Sequence, residues 1–152
     1  MLYGILALVT AALFTGAAVY INLAEHPARL LLPIEPLLAQ WKPSYARGFR
    51  MQASLAVVGA VLAVLAWWQL RDFLWLVGGA VLLTNWPYTL LVIMPVNHRL
   101  NAIAPGTASE TTTRADLVRW GQLHAVRSAL GVVATGLLAW AVIRAFVMAA
   151  AP

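Results

Sequence analysis

Residues 49–94 read FRMQASLAVVGAVLAVLAWWQL-RD-FLWLVGGAVLLTNWPYTLLVIM, and this stretch decides the fold. A helix that crosses a bilayer needs roughly 20 mostly apolar residues. The stretch supplies that length on each side of Arg71-Asp72. A two-residue polar connection leaves room only for a tight turn. The pattern therefore predicts two antiparallel transmembrane helices that form a hairpin.

The composition of the whole chain agrees with a membrane environment. Of its 152 residues, 62% are hydrophobic and 10% are charged, whereas a soluble domain carries about 25% charged residues. The net charge of +5 comes from basic residues that flank apolar segments, so we expect the lipid bilayer as partner and no nucleic acid. The chain has no cysteine, which excludes disulfides, thiolate metal sites and thiol catalysis.

Two further apolar stretches lie outside the hairpin. The four predicted spans are residues 2–23, 49–70, 73–94 and 117–148. The first span lacks the basic segment of a signal peptide, so we expect it to be a retained helix. We predict an all-α, antiparallel four-helix transmembrane bundle that forms one membrane domain over residues 1–152. The composition is also compatible with a homo-oligomer.

The connections outside the hairpin lie on the opposite side of the membrane. Residues 24–48 hold four prolines, which predicts that span one ends at Pro27 and that the segment is not one continuous helix. Its leucine clusters favour a re-entrant or an interfacial segment. Residues 101–114 are rich in Thr, Ala, Ser and Gly and are typical of a mobile polar loop or lid.

The basic residues predict the orientation of the bundle. Only Arg71 and Arg144 lie on the hairpin side. The other eight of ten lie on the loop-bearing side or just inside it: Arg29, Lys42, Arg47, Arg50, Arg99, Arg114, Arg119 and Arg127. Basic residues are enriched in cytoplasmic loops. We therefore expect a protein integral to the cytoplasmic membrane, with cytoplasmic loops and both termini outside.

Polar side chains converge on this loop-bearing rim. In span four, Asp116, Trp120, His124 and Arg127 follow helical spacing on one face. Intramembrane charges are costly and mark functional sites, which favours His124 and Arg127 pointing into the bundle. The alternative is that Arg127 extends to the headgroups and His124 caps a neighbouring helix.

The other three spans contribute further candidates to the rim. Span one ends at Glu25-His26, a pair that suits acid–base chemistry or metal binding but also a simple interfacial cap. Span two begins with Arg47 and Arg50, which share a face and which can also serve only to orient the protein. Span three adds a kink at Pro87 beside Tyr88, and then the polar run Asn97-His98-Arg99.

These residues resemble those of the anthrone oxygenase-like family of small four-span membrane proteins. The matching elements are Glu25-His26-Pro27-Ala28, Trp41 with Tyr45-X-Arg47, Pro95 to Leu100, and Trp120-X-X-X-His124-X-X-Arg127. Members that define the family oxidise a polyketide anthrone to an anthraquinone with O₂. The resemblance implies this class of activity, and it implies site roles for Glu25, His26, Asn97, Arg99, Trp120, His124 and Arg127.

The leading hypothesis is an oxygenase that acts on a hydrophobic aromatic, anthrone- or quinol-like molecule at a cytoplasm-facing site. His124 would be the general base, oriented by Glu25 or Asp116. The donors expected to stabilise the oxyanion are Arg127, Arg50 and Asn97. The residues expected to bind the substrate are Trp120, Tyr88, Arg99 and Arg47. This hypothesis needs O₂ as co-substrate and no cofactor.

Two alternatives remain open at the level of sequence. In one, His26, His98 and His124 bind a metal ion or a haem, since imidazole with a nearby carboxylate suits iron, copper or zinc. In the other, the protein is a non-enzymatic lipid-binding or scaffold protein. A transporter is less favoured, because only Thr84 and Asn85 connect the polar rim with the hairpin side.

Overall fold

The computed structural model describes residues 1–150, and these form four long helices without any strand. The helices are α1 (Leu2–Arg29), α2 (Ile34–Leu70), α3 (Leu74–Ala102) and α4 (Glu110–Ala150). Each is long and apolar enough to cross a membrane. The protein is therefore an integral membrane protein, and the predicted all-α four-helix bundle is confirmed.

The helices pack in the order of the chain around the bundle. α1 packs against α2 and α4, and α3 closes the ring between α2 and α4. Two apolar clusters fill the interior. The first includes Phe14, Trp75, Leu82 and Leu138, and the second is built around Trp41, Leu117 and Trp120.

The α2–α3 connection is the tight turn that the sequence predicts. α2 ends at Leu70, and Arg71 takes a left-handed conformation with φ of 56° while its backbone N–H bonds to the Trp67 carbonyl. The Asp72 carboxylate then accepts a hydrogen bond from the backbone N–H of Leu74 at 3.0 Å. This side chain satisfies a free N–H group at the start of α3.

α1 does not end at Pro27, so that prediction is wrong. The regular α-helix Leu2–Tyr20 passes into a π-turn, Ile21–Glu25, and then into a last helical turn, His26–Arg29. A proline clashes with the carbonyl four residues earlier in a regular α-helix. Here that carbonyl lies in the wider π-turn, which lets the helix continue past Pro27.

α3 repeats this arrangement. Its regular helix ends at Leu83 and resumes at Asn85, two residues before Pro87, so an interruption lies where the sequence predicts a kink. A second π-turn, Thr89–Ile93, precedes Pro95, and the helix then runs from Met94 to Ala102. The span is therefore longer than residues 73–94, because the polar run after Pro95 is helical.

The proline-rich connection is not one continuous helix, as predicted, but most of it belongs to α2. Only residues 30–33 are non-helical, and α2 begins at Ile34 and continues through Pro43. The segment is therefore a helical extension of span two, and it is not a separate re-entrant segment. A helix of 37 residues is about 55 Å long, which exceeds the roughly 30 Å of a bilayer core.

The α3–α4 loop is shorter than predicted, because α4 already begins at Glu110. The ammonium group of Lys42 donates to the carbonyls of Asn101 and Ile103, at 3.2 and 2.5 Å. The Glu35 carboxylate accepts from the backbone N–H groups of residues 106 and 108, at 3.1 and 3.0 Å. Contacts with the α2 extension thus hold the segment that the sequence predicts to be a mobile lid.

Candidate functional site

The imidazole of His124 is buried and held by α1. Its Nδ1 lies 2.8 Å from Oδ1 of Asn22. The Asn22 amide Nδ2 donates to the Gly121 carbonyl at 2.9 Å, so Oδ1 is the end of the amide that faces His124. An amide oxygen only accepts, so Nδ1 carries the proton. The lone pair of the neutral imidazole is then on Nε2.

Further contacts fix the orientation of this ring. The Ser128 hydroxyl, one turn along α4, donates to the same Asn22 Oδ1 at 2.6 Å. The indole of Trp120 stacks on the imidazole of His124, with ring centroids 5.0 Å apart. The Trp120 Nε1–H donates in turn to Oδ1 of the fully buried Asn97 at 3.0 Å. His124 is therefore preorganised by residues of three helices.

Arg127 lies in the interior, one turn of α4 after His124. Its Nη2 donates to Oε1 of Gln52 at 2.7 Å, and its guanidinium carbon lies 5.7 Å from the centre of the Phe14 ring. No carboxylate among residues 1–150 forms an ion pair with Arg127, and its Nε has no hydrogen-bond partner. A buried arginine without a counter-charge is costly unless an anion joins it.

His124 and Arg127 share a cavity of about 20 Å³. This volume holds one water-sized molecule. Its wall contains polar groups and three aromatic rings. The lining residues are Ile21, Arg29, Ser44, Tyr45, Gly48, Phe49, Gln52, Ile93, Asn97, Trp120, His124 and Arg127.

A second, smaller chamber of about 10 Å³ lies on another side of Arg127 and Gln52. Its remaining lining includes Phe14, Phe49, Ala53, Ala56, Asn85, Trp86, Thr89 and Leu90. Four of its polar side chains are buried and have an atom with no partner: Nε2 of Gln52, Oδ1 of Asn85, Oγ1 of Thr89 and Nε of Arg127. Native proteins leave few buried polar groups unpaired.

Glu25 does not orient His124, so this prediction is wrong. Its carboxylate forms an ion pair with Arg29, whose guanidinium also bonds to Gln40. The Ser44 hydroxyl donates to the same Glu25 oxygen at 2.6 Å. The π-turn of α1 turns Asn22 toward α4 and leaves Glu25 facing α2. Glu25 therefore joins α1 to α2 at the edge of the cavity.

Three of the predicted arginines lie outside the cavity. Arg47 and Arg50 are exposed and donate to the carbonyls of Pro43 and Ala46, in their own helix, at 3.5 and 3.3 Å. They share a face, but it is the outer face of α2. Arg99 makes a two-point ion pair with Asp116 at 2.6 and 3.0 Å, so Asp116 does not orient His124 either.

Tyr88 is also outside the cavity that contains His124. Its hydroxyl donates to the carbonyl of Leu123 at 3.2 Å, and its half-buried ring packs on the second apolar cluster. The aromatic rings that do line the cavity are those of Tyr45, Phe49 and Trp120. Trp120 lies where substrate binding is predicted, and Tyr88 does not.

The three histidines do not form a common site. His98 is exposed, and His26 is buried with both ring nitrogens unpaired, beside Trp120. Within residues 1–150 no three His, Asp or Glu side chains come close enough to share a metal ion. The predicted three-histidine metal centre is therefore wrong.

A comparison with protein families identifies the chain. A family model described as anthrone oxygenase matches residues 41–137, which is more than half of the chain. The chain belongs to the anthrone oxygenase family. No curated protein and no solved structure matches it. The resemblance that the sequence motifs indicate is confirmed.

The match to the anthrone oxygenase family covers most of the cavity. Gln52, Trp120, His124 and Arg127 lie within it, whereas Asn22 lies before its first residue. Sequence reasoning missed Tyr45 and Gln52 as site residues. The signal that could have found them is the helical spacing of Trp41, Tyr45, Gly48 and Gln52, which faces inward and is uncharged.

Proposed function

We propose that this anthrone oxygenase family member oxidises a hydrophobic aromatic substrate of the anthrone or quinol type with O₂, inside the membrane. One observation carries the proposal. A buried imidazole with a free Nε2 and a buried guanidinium without a counter-charge share one cavity, a helical turn apart. This pairs a base with a group that stabilises the anion that the base creates.

The reaction begins when His124 removes a proton from the reactive CH₂ carbon of the substrate. The resulting anion places its charge on the ring oxygen, where the Arg127 guanidinium and the Gln52 amide stabilise it. The anion transfers electrons to O₂, and a carbon–oxygen bond forms to give a peroxide anion. Protonated His124 returns its proton to this peroxide.

His124 then removes the second proton from the same carbon while the O–O bond breaks. The carbon becomes a carbonyl, and the hydroxide that leaves takes the proton from His124 to form water. The sum is CH₂ + O₂ → C=O + H₂O. His124 ends in its starting state. Asn22, which also accepts from Ser128, holds the Nδ1–H of His124 and so keeps the lone pair on Nε2.

Substrate access requires movement of a side chain, because a three-ring molecule exceeds 20 Å³. Phe49 lines both the cavity and the second chamber. It also lines an outer groove of about 540 Å³ with Trp86 and Val57, on the surface that faces lipid. Displacing the Phe49 ring therefore joins the three spaces and admits a substrate directly from the bilayer.

The test is turnover by the purified protein in detergent. A hydroxylated anthrone is supplied in air, and O₂ uptake and the visible absorbance of the anthraquinone are followed above the spontaneous rate. His124→Asn should lower the rate by about 10²-fold or more, as expected for loss of a general base. His98→Asn is the matched control, since His98 is exposed, and its rate should stay within about twofold.

Two outcomes would contradict the proposal. Full turnover by His124→Asn would show that His124 is not the general base. The second outcome is that the wild type oxidises anthrones and quinols no faster than they oxidise spontaneously. The protein would then not be an oxygenase of this kind, and the non-enzymatic lipid-binding function would remain as the alternative. Vesicle binding that depends on anionic lipid would then support that function.

A further inference from the structure

The second chamber stands out because four of the residues that line it each carry an unpaired polar atom. Gln52, Asn85, Thr89 and Arg127 are each more than nine-tenths buried, and each leaves an atom without a partner. They come from α2, α3 and α4 and line the same chamber of about 10 Å³. Water cannot reach such groups freely within a bilayer, so unpaired groups there are costly.

The unpaired atoms have complementary roles in hydrogen bonding. Nε2 of Gln52 and Nε of Arg127 can only donate, whereas Oδ1 of Asn85 can only accept. The Thr89 hydroxyl can do either. The orientation of the Asn85 amide is fixed, because its Nδ2 already donates to the Leu82 carbonyl at 3.0 Å and Oδ1 is the end without a partner. A ligand must therefore present a hydrogen-bond acceptor to Gln52 and Arg127 and a hydrogen-bond donor to Asn85.

We propose that this chamber binds the oxygen substituents of the substrate, namely a carbonyl or phenolate oxygen with a hydroxyl group beside it. The carbonyl oxygen accepts from Gln52 and Arg127. The neighbouring hydroxyl donates to Asn85 and is also within the reach of Thr89. The chamber therefore selects phenolic ketones over unsubstituted ones.

The size and position of the chamber agree with this assignment. A space of about 10 Å³ takes about one oxygen atom and no complete ring. Phe49 also lines the chamber, so displacement of its ring makes room for the second oxygen. Arg127 and Gln52 line both spaces, so a ring that replaces Phe49 can present one end to His124 and its oxygens to the chamber. The inference rests on the proposed function for the identity of its ligand.

The experiment measures binding in the absence of turnover. The probes are 1,8-dihydroxyanthraquinone and unsubstituted anthraquinone, titrated into the detergent-solubilised protein, with tryptophan fluorescence as readout. The wild type should prefer the hydroxylated probe. Asn85→Leu should weaken the binding of the hydroxylated probe by about tenfold or more, because a buried acceptor is lost. Its affinity for the unsubstituted probe should change by about twofold at most.

A pair of threonine variants provides the matched control. Thr89→Val removes the unpaired hydroxyl of the chamber and should also reduce the preference for the hydroxylated probe. Thr84→Val removes an exposed hydroxyl that bonds only to the Ala80 carbonyl of its own helix, and should leave the preference unchanged. If Asn85→Leu does not fold, the Thr89 and Thr84 pair still decides the question.

The outcomes separate this inference from the proposed function. Wild-type preference retained by both Asn85→Leu and Thr89→Val would overturn it, because the chamber would then hold only a structural water. Absence of any preference in the wild type would overturn it as well. Preference that depends on Asn85 would support it even if no anthrone were oxidised, since binding is read without O₂ chemistry.

Discussion

At the residue scale, the site depends on a close approach between α1 and α4. A Cβ atom on Gly121 would lie 2.5 Å from Cδ2 and 2.6 Å from Nε2 of the His26 ring. The same glycine supplies the carbonyl that orients Asn22. A larger residue at position 121 would therefore push α1 away from α4 and disturb the Asn22–His124 hydrogen bond.

We predict that Gly121→Ala destabilises the protein by about 1–3 kcal/mol, because the methyl group overpacks a buried contact. The measurement is thermal or denaturant unfolding in detergent. Gly136→Ala is the matched control in the same helix, where a Cβ would meet nothing within 4 Å. It should be neutral or stabilising by up to about 1 kcal/mol, since alanine favours a helix. Equal stabilities of the two variants would contradict the predicted contact.

Individual residues also show how far the sequence could predict the site. Spacing along α4 was sufficient to place Trp120, His124 and Arg127 on one inward face. It could not identify Asn22 as the partner of His124, because that contact joins residues about one hundred positions apart. Charge was a misleading guide on α2, where Arg50 faces outward and the neutral Gln52 faces the cavity.

At the scale of elements, the Glu25–Arg29 ion pair lies within the last turns of α1, and Gln40 and Ser44 connect it to the extension of α2. The Arg29 side chain is only 2% exposed and that of Glu25 is 21% exposed. We predict that Glu25→Gln destabilises the protein by about 3 kcal/mol, because it leaves a buried guanidinium without a counter-charge. The measurement is denaturant unfolding in detergent.

The ion pair of Glu110 and Arg114 is the control for this prediction. It has the same i, i+4 spacing, but its side chains are 60% and 32% exposed. Glu110→Gln should change the stability by less than about 1 kcal/mol, as exposed ion pairs contribute little. A similar effect of the two substitutions would mean that burial does not decide the strength of the Glu25–Arg29 pair.

Elements also show where local rules for proline gave the wrong boundaries. The rule that proline ends a helix predicted a stop at Pro27, yet α1 continues to Arg29 through a π-turn. A second π-turn precedes Pro95 in α3. In both helices the carbonyl four residues before the proline lies in the π-turn, so the rule fails where a wider turn removes the clash on which it depends.

At the scale of the whole molecule, the orientation in the membrane is a proposal from charge alone. The basic rim should face the cytoplasm and both termini the outside. The chain has no cysteine, so single cysteines can test this. Gln69→Cys in the hairpin and Thr107→Cys in the α3–α4 loop are both at exposed positions.

We predict that a membrane-impermeant maleimide labels Gln69→Cys and not Thr107→Cys in sealed right-side-out vesicles. Both variants should be labelled after detergent solubilisation, which controls for reactivity. Labelling of Thr107→Cys alone in sealed vesicles would show that the topology is the reverse of the predicted one. The site would then open to the outer side.

The sequence by itself determined the four spans, the α2–α3 hairpin and the convergence of polar residues at one rim. These follow from apolar length and helical spacing, which are local properties of the chain. Only the tertiary structure decided which polar groups meet. It pairs His124 with Asn22, leaves Arg127 without a carboxylate and brings four residues with unpaired polar atoms to the lining of one chamber. The physical reason is rotation: one residue turns a helix by about 100°, so the π-turns and packing between helices select the face that each residue presents.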